Sequence, residues 1–190
     1  MLKDALVEHC SPTLAGIKTG NMFSLINNSA DIVTEIRNLN RIMTRKGLCL
    51  IPLRRSDRST LIYLYRPDFL KRDLDLPGAE EILEKKGYPC GNPGCCIARL
   101  VRHLMEDEQF PHEIGLFLGY PPSDVKKFME DSRKGVKCNG CWKAYSNECE
   151  AKKLFEKYKK CREIYCRKAK EGKSLEALIV DTRKDLRPAI

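Results

Sequence analysis

Two nearly continuous apolar segments constrain the fold of this chain more than any other feature. They cover residues 48–53 and 60–65, and the polar stretch between them contains three arginines. Apolar segments of strand length on either side of a polar loop are typical of a β-hairpin. Their unbroken apolar character indicates a sheet that is covered on both faces. Pro52 has no N–H to donate, so we expect its strand at an edge of that sheet.

Helical patterns dominate the rest of the sequence. Apolar residues recur at helical spacing over residues 31–46, and Gly47 is a typical helix end. Near the N-terminus, one helix is predicted to end at about His9. A second is predicted to begin at Ser11 and Pro12, because serine caps helices and proline suits their first turn. The remaining predicted helices cover residues 78–86, 95–107, 111–118, 122–131, 147–170 and 173–181.

These elements, with a short strand at about 142–145, predict an α+β fold that is mostly helical with a small sheet. A chain of 190 residues buries about 70% of its unfolded surface, so we expect a single domain over residues 1–190. No apolar run approaches the roughly 18 residues of a membrane span, and the N-terminus lacks the long apolar core of a signal peptide. We therefore expect a cytoplasmic protein whose ten cysteines are reduced thiols or metal ligands.

The net charge of +9 is concentrated toward the C-terminus. Residues 1–125 contain 16 basic and 16 acidic residues, whereas residues 126–190 contain 19 basic and 10 acidic ones. A basic helical segment over about 147–190 indicates an anionic partner. The alternative is a solvated helix face, on which lysines serve solubility.

Cys10 is the first candidate for chemistry, because it precedes the helix start predicted at Ser11. The free N–H groups and the dipole of a helix N-terminus stabilise an anion, so a thiol in that position has a lowered pKa and is available as a thiolate. A protonated His9 would add to this effect. The alternative is a small buried cysteine that packs beside a helix cap.

Five further cysteines have spacings that suit a metal site. Cys90, Cys95 and Cys96 flank a Gly/Pro-rich loop, while Cys138 and Cys141 form a Cys-x-x-Cys turn with glycine inside. Small residues let the backbone curl so that both sulfurs reach one ion, and two such pairs supply the four ligands of a tetrahedral zinc or iron site. The alternative for the Cys-x-x-Cys pair is a redox dithiol, in which one thiolate attacks and the other resolves.

The run from Phe110 to Pro121 contains the third candidate. Pro111 is predicted to open a short helix, which places His112 and Glu113 in its first turn. A histidine held neutral by the helix dipole can serve as a base or a ligand. Cys10 as nucleophile, His112 as base and Glu113 as orienting group would form a catalytic set if the fold brings them together. The alternative is a histidine hydrogen-bonded to the preceding loop.

Residues 111–131 also match the spacing of a helix-turn-helix. Gly115, Gly119 and Val125 fit its small, turn and buried β-branched positions. Nucleic-acid binding would use exposed lysines of this segment and of the basic helix, namely Lys126, Lys127, Lys152 and Lys153. Acidic residues are as frequent as basic ones on the presumed recognition helix and repel phosphate, so a corner used only for packing is the alternative.

Three runs together resemble a bacterial family of unknown function, whose members have about this length and are common in anaerobes. The runs are HCSPTLAGIK at residues 9–18, PHEIGLFLGYP at residues 111–121 and GCWKAY at residues 140–145. The Pro-His-Glu and Leu-Gly-Tyr-Pro motifs mark the family, and the resemblance covers essentially the whole chain. It implies a single domain and directs attention to these three runs, but it brings no catalytic residues to carry over. Lys18, at the end of the first run, is counted with Cys10, His112 and Glu113 among the candidate catalytic residues. An anaerobic setting favours oxygen-sensitive thiol or iron chemistry by association only.

The leading hypothesis from these patterns is a thiol-based metal-binding or redox accessory protein, with zinc or iron as its cofactor. The first alternative is a nucleic-acid-binding protein, whose binding would weaken steeply with salt. The second alternative is a protein–protein adaptor without a cofactor, which an exposed apolar patch would indicate.

Overall fold

The computed structural model describes residues 2–26, 31–89, 91–106 and 109–183. The chain forms two compact units, one from Met1–Asp68 together with Cys161–Ile190 and the other from Phe69–Lys160. Helices and small antiparallel sheets are combined in the described part, so the predicted α+β class is confirmed. The prediction of one domain over the whole chain stays a prediction.

The helices and strands of the described residues have the following bounds, in chain order. They are α1 (Leu2–Leu14), β1 (Gly20–Ile26), α2 (Ile32–Met43), β2 (Cys49–Arg55), β3 (Ser59–Tyr65), α3 (Pro67–Leu74), α4 (Pro77–Lys85), α5 (Pro93–Glu106), α6 (Ile114–Phe117), α7 (Pro122–Glu130), β4 (Cys138–Asn139), β5 (Lys143–Ala144), α8 (Glu148–Lys170) and α9 (Leu175–Leu178). A 3₁₀ turn over Thr44–Lys46 extends α2, and Gly47 ends it with a φ of 77°. The helix predicted over residues 31–46 is therefore confirmed.

The sheet of the first unit is antiparallel, with the strand order β1-β3-β2. The predicted hairpin is confirmed as β2 and β3, and Pro52 stands just before a shift in their register. β2 lies at an edge of the sheet, as the proline indicated. β1 pairs along its full length with β3. The sequence pattern did not predict β1, because the polar Asn21 and Ser24 interrupt its apolar residues.

α1 is one continuous helix, so the break predicted between His9 and Ser11 is wrong. Its apolar stripe at four-residue spacing is fully buried and consists of Leu2, Leu6, Cys10 and Leu14. Burying each large apolar side chain contributes about 2 kcal/mol, whereas a proline inside a helix costs about 3 kcal/mol. The stripe therefore outweighs Pro12, which lies in the last turn of α1.

A buried arginine holds together distant parts of the first unit. Arg66 is 1% exposed. Its guanidinium donates to the carbonyl oxygens of Thr13, Leu14 and Val180 at 2.8–2.9 Å and to Thr182 Oγ1 at 2.8 Å. Because a buried charge is tolerated only when its donors have partners, this side chain fixes the segment after α9 against the end of α1.

The second unit consists of short helices and the two-stranded sheet of β4 and β5. The helices predicted over 78–86, 95–107 and 122–131 are confirmed as α4, α5 and α7, and the predicted strand at 142–145 is confirmed as β5. The helix predicted over 111–118 is reduced to the single turn α6, because residues 114–116 donate to carbonyls only three residues back. α3 was not predicted.

The C-terminal helices agree with the sequence in position. The helix predicted over 147–170 is confirmed as α8, while the one predicted over 173–181 is shorter and forms α9, which Ser174 caps. Among the described helices, none is long and apolar enough to cross a membrane. The cytoplasmic location stays a prediction.

Candidate functional site

Two runs of the second unit that the sequence singled out, residues 110–121 and 140–145, meet at one cavity. The cavity has a volume of about 380 Å³ and lies against α6, α7 and the β4–β5 hairpin. Its aromatic residues are Phe110, Tyr120, Phe128 and Trp142, and its polar residues are His112, Asp124, Asn139, Cys141 and Lys143. A concave, mainly apolar wall with a few polar groups is the usual form of a small-molecule site. We call this space the aromatic cavity.

The β4–β5 hairpin presents a tryptophan to the aromatic cavity. Its strands leave Gly140, Cys141 and Trp142 as the turn. Any side chain at Gly140 would overlap the ring of Phe155, so only glycine lets the hairpin pack this closely. Trp142 packs edge-on against Phe155 with the ring centroids 4.6 Å apart, and it stacks on Tyr120 at 5.0 Å. The indole is therefore held on two sides.

A buried carboxylate fixes the hairpin to α7. Asp124 lies in the first turn of α7, where the helix dipole stabilises negative charge, and is 3% exposed. Its Oδ2 accepts from Trp142 Nε1 at 2.9 Å. Its Oδ1 accepts from the backbone N–H groups of Tyr145 and Ser146 at 3.0 Å and from Ser146 Oγ at 2.8 Å. Four donors thus satisfy this carboxylate and set the position of the indole.

The predicted helix-turn-helix spacing corresponds to close packing between α6 and α7. A Cβ at Gly115 would lie 2.9 Å from Val125 Cγ2, and Gly119 ends α6 with a φ of 73°. Tyr120 follows, and its hydroxyl donates to the Cys141 carbonyl at 2.9 Å. Burial raises the pKa of Tyr120, so it stays a neutral donor. This corner builds one wall of the aromatic cavity.

Two nitrogen-bearing side chains lie around Phe128 at the cavity wall. His112 meets the Phe128 ring edge-on, with the centroids 5.1 Å apart. Lys143 Nζ lies 5.6 Å from the centroid of the same ring and donates to the Ser132 carbonyl at 3.0 Å. A lysine over an aromatic ring gains a cation–π attraction. Lys143 therefore places a positive charge beside the apolar wall.

Glu113, the predicted orienting group for His112, has other partners. It is 2% exposed and lines a second cavity, of about 570 Å³, next to His112. Tyr88 donates to Glu113 Oε1 at 3.0 Å, and His103 Nδ1 lies 3.1 Å from the same oxygen. Glu113 therefore orients His103, a histidine that the sequence patterns did not single out.

Cys10 does not precede a helix, and the activation predicted for it is wrong. It lies inside α1 and is fully buried. Burial raises the pKa of its thiol, and the positive charge of Lys18 only partly opposes this effect. Lys18 is itself buried and donates to the Gly20 carbonyl. Cys10 and Lys18 belong to the first unit and His112 to the second, so a joint catalytic set stays a prediction.

The cysteines predicted as metal ligands are spread over α5 and the hairpin. Cys95 is exposed, while Cys96 is buried and donates to the Pro89 carbonyl at 3.0 Å. Cys138 is half-buried and Cys141 is exposed. Across residues 2–26, 31–89, 91–106 and 109–183, no group of three or more His, Cys, Asp or Glu side chains is placed to hold a metal ion. Cys90 lies outside the described residues, so the zinc or iron site stays a prediction.

The lysines assigned to nucleic-acid binding are surface residues, and two of them already pair with acids. Lys126 lies 3.2 Å from Glu81, and Lys152 lies 2.6 Å from Glu148. Lys127 and Lys153 are exposed. Exposed pairs of this kind are weak, about 0–1 kcal/mol, so they leave the charge available to solvent. Binding of nucleic acid, or of another anionic partner, stays a prediction.

Sequence reasoning missed several residues of these sites. Trp142 appeared only within a family-like run, and Asp124 was only one of the acidic residues considered unfavourable to DNA. Tyr88 and His103 had no motif at all. The periodicity of α5 does place His103 on the buried face with Leu100, and a buried polar residue on such a face is the signal that could have identified it.

Comparisons with known proteins give one match. The family model described as "Protein of unknown function (DUF3793)" matches residues 6–179. The match spans both units and includes all three runs that carried the resemblance. No curated protein and no solved structure matches the chain.

Proposed function

The chain belongs to the DUF3793 family of proteins of unknown function, and we propose that it binds a small planar ligand with an anionic group in the aromatic cavity. The observation that carries the proposal is the enclosure of this space by four aromatic residues with Lys143 on the same wall. The family description names no ligand, so the proposal depends on the geometry of the chain's own residues.

The size of the aromatic cavity sets the size of the ligand. Its volume of about 380 Å³ lies at the lower end of the range for small-molecule sites, about 300–1,000 Å³. Aromatic side chains favour flat apolar partners, because ring faces and edges attract one another in stacked and edge-on arrangements. A ligand with one or two fused rings fits both the volume and the wall.

The charges at the wall favour an anion. Asp124 is the acidic residue of the cavity, and four donors already satisfy it. Lys143 has three N–H donors, of which one is used on Ser132. The remaining donors can reach a carboxylate, sulfonate or phosphate at the edge of the ligand.

The site is organised before any ligand binds. Asp124 holds Trp142 through its indole N–H, while Tyr120 and Phe155 hold the ring from two sides. Side chains that are already fixed lose less conformational freedom on binding, so more of the interaction energy appears as affinity. This supports a binding role for the cavity.

The binding test uses the single tryptophan of the chain, Trp142, as its reporter. Anilinonaphthalene sulfonate, a planar anionic dye, should quench Trp142 emission with saturation at one dye per protein. Phe128→Ala removes one aromatic wall and should weaken binding by about tenfold, or about 1.4 kcal/mol. Phe69→Ala, a half-buried ring outside the cavity, is the matched control and should bind normally. Equal affinity for the wild type and Phe128→Ala would place the dye elsewhere.

Thiol chemistry at Cys141 is the second candidate. Cys141 is exposed and lines the aromatic cavity. It lies in a tight turn and forms a Cys-x-x-Cys pair with Cys138. Such a turn is typical of zinc knuckles, in which two cysteines bind one ion. Zinc or iron held by this pair would be lost from Cys141→Ser. It would be kept in the control variant Cys149→Ser, because Cys149 is an exposed thiol of α8 outside the pair. Metal analysis of protein purified without oxygen or chelator measures this, and equal content in all three proteins would exclude it.

A further inference from the structure

The second cavity of this unit contains a buried group of titratable residues that the aromatic cavity does not use. Tyr88 follows α4, His103 lies on α5, and Glu113 precedes α6. They are 4%, 7% and 2% exposed. Three separate segments thus bring an acid, a base and a phenol together in the interior, where unpaired polar groups are costly.

The hydrogen bonds of this group define which ring nitrogen of His103 carries a proton. Tyr88 donates to Glu113 Oε1 at 3.0 Å. His103 Nδ1 lies 3.1 Å from that oxygen and 3.1 Å from the Tyr88 hydroxyl. The carboxylate can only accept, and burial together with the charge of Glu113 raises the pKa of Tyr88, which keeps its proton. Nδ1 is therefore the donor, and neutral His103 has its lone pair on Nε2.

The remaining ring nitrogen has space beside it. His103 and Glu113 line the cavity of about 570 Å³ together with Lys86, Gln109 and His112. In the described part of the chain, the hydrogen bonds of His103 are made by Nδ1, and Nε2 is not among the fully buried side-chain atoms that lack a partner. A carboxylate that orients Nδ1–H while Nε2 is open to a cavity is the arrangement of base and orienting acid in hydrolytic triads.

We propose that His103 is a general base for the hydrolysis of a small polar carboxylic ester in this second cavity, with Glu113 as its positioning residue. Water gives a proton to Nε2 while its oxygen bonds to the carbonyl carbon. The ester C–O bond then breaks, and the leaving alkoxide takes the proton from Nε2, so ester and water yield acid and alcohol. The Glu113 carboxylate balances the imidazolium charge. Lys86 and Gln109 also line this cavity and carry N–H donors, the groups that stabilise a developing oxyanion.

The groups that face His103 determine how the rate depends on pH. They are Tyr88 and Glu113 in direct contact, Lys86, Glu106 and His112 on the cavity wall, and Arg99 and Cys96 near Tyr88. Protonated His103 cannot accept a proton, so the rate should rise with pH until the ring is neutral. Removing the charge of Glu113 destabilises the imidazolium, so the rise should move to lower pH in Glu113→Gln.

The experiment measures hydrolysis of nitrophenyl acetate by the full-length chain. The three histidines of the sequence allow a matched series. The protein-dependent rate of His103→Gln should be about tenfold or more below that of the wild type, because general bases contribute about 10²–10⁴-fold. His9→Gln should keep the wild-type rate. Glu113→Gln should lower the rate and shift the pH profile as stated. No protein-dependent hydrolysis by the wild type, or an unchanged rate in folded His103→Gln, would overturn the proposal.

A chemical test on wild-type protein avoids any folding defect of these variants. Diethyl pyrocarbonate acylates neutral imidazole, and mass spectrometry locates the adduct. Loss of hydrolysis in step with modification of His103, and not in step with modification of His9 or His112, is the expected result. A full rate after His103 carries the adduct would overturn the proposal. Neither result depends on binding of the dye in the aromatic cavity.

Discussion

Asp124→Asn should destabilise the second unit by about 2–4 kcal/mol, although it changes only one atom. The carboxylate accepts four hydrogen bonds, at 2.8–3.0 Å. Hydrogen bonds to a charged group contribute about 1.5–3 kcal/mol each, and neutral ones about 1 kcal/mol. An asparagine oxygen can keep the bonds from Tyr145 and Ser146 at the weaker, neutral value. Its amide NH₂ would then face Trp142 Nε1–H, so that two donors meet and one bond is lost.

Urea unfolding followed by Trp142 emission measures this effect, because no other tryptophan contributes. With a slope of about 2 kcal/mol/M, in the middle of the usual range, the midpoint should fall by about 1–2 M. The folded emission should also shift, since the indole loses its partner. Asp75→Asn is the matched control, because the exposed carboxylate of Asp75 pairs with the exposed Lys71, and it should change stability by less than about 0.5 kcal/mol. Equal midpoints for the two variants would refute the role given to Asp124.

Three further predictions concern other parts of the chain. Burial raises the pKa of Cys10, so the unfolded chain loses this proton above about pH 8.5 while the folded chain keeps it. The Cys10 thiol therefore contributes to the free energy of unfolding below that pH, and this contribution falls as the pH rises above it. In the same pH range, the free energy of unfolding of Cys10→Ala should decline less steeply. Arg66→Lys replaces a five-donor guanidinium by one ammonium, so buried carbonyls lose hydrogen-bond partners. Thermal unfolding should show a free energy of unfolding lower by about 2–4 kcal/mol. A change near zero would contradict the structural role of Arg66. Gly140→Ala should displace Phe155 and alter Trp142 emission, whereas an unchanged spectrum would show that the hairpin packs less closely than described.

The parts of the fold that the sequence predicted depend on local pattern. The β2–β3 hairpin, α2, α7 and α8 follow from apolar periodicity and from proline and glycine at their ends. The errors arise where tertiary burial outweighs a local signal. Ser11 and Pro12 form a good helix start, yet the stripe that includes Leu6 and Leu14 continues α1 through them. β1 has too few apolar residues to be recognised without its partner strand.

The candidate sites were predictable only in part, for the same reason. The runs around His112 and Trp142 were singled out from the sequence, and they do meet at one cavity. The contacts that give them chemical meaning join residues far apart in the chain. Asp124 reaches Trp142 across 18 positions, and Tyr88 reaches Glu113 across 25. Periodicity carries no information about such pairs, so the activation of Cys10 was predicted while the His103 group was not.

The measurement that most directly tests the central claim compares two dyes of the same shape. Anilinonaphthalene sulfonate is anionic, and phenylnaphthylamine lacks the sulfonate. Titrations followed by Trp142 quenching should show saturable binding of both dyes, with the anion about fivefold or more tighter, or about 1 kcal/mol. Lys143→Met should abolish that difference, and Lys127→Met, an exposed lysine of α7, should preserve it. Absence of saturable quenching, or a preference for the anion that survives in Lys143→Met, would contradict a cavity built for a planar anionic ligand.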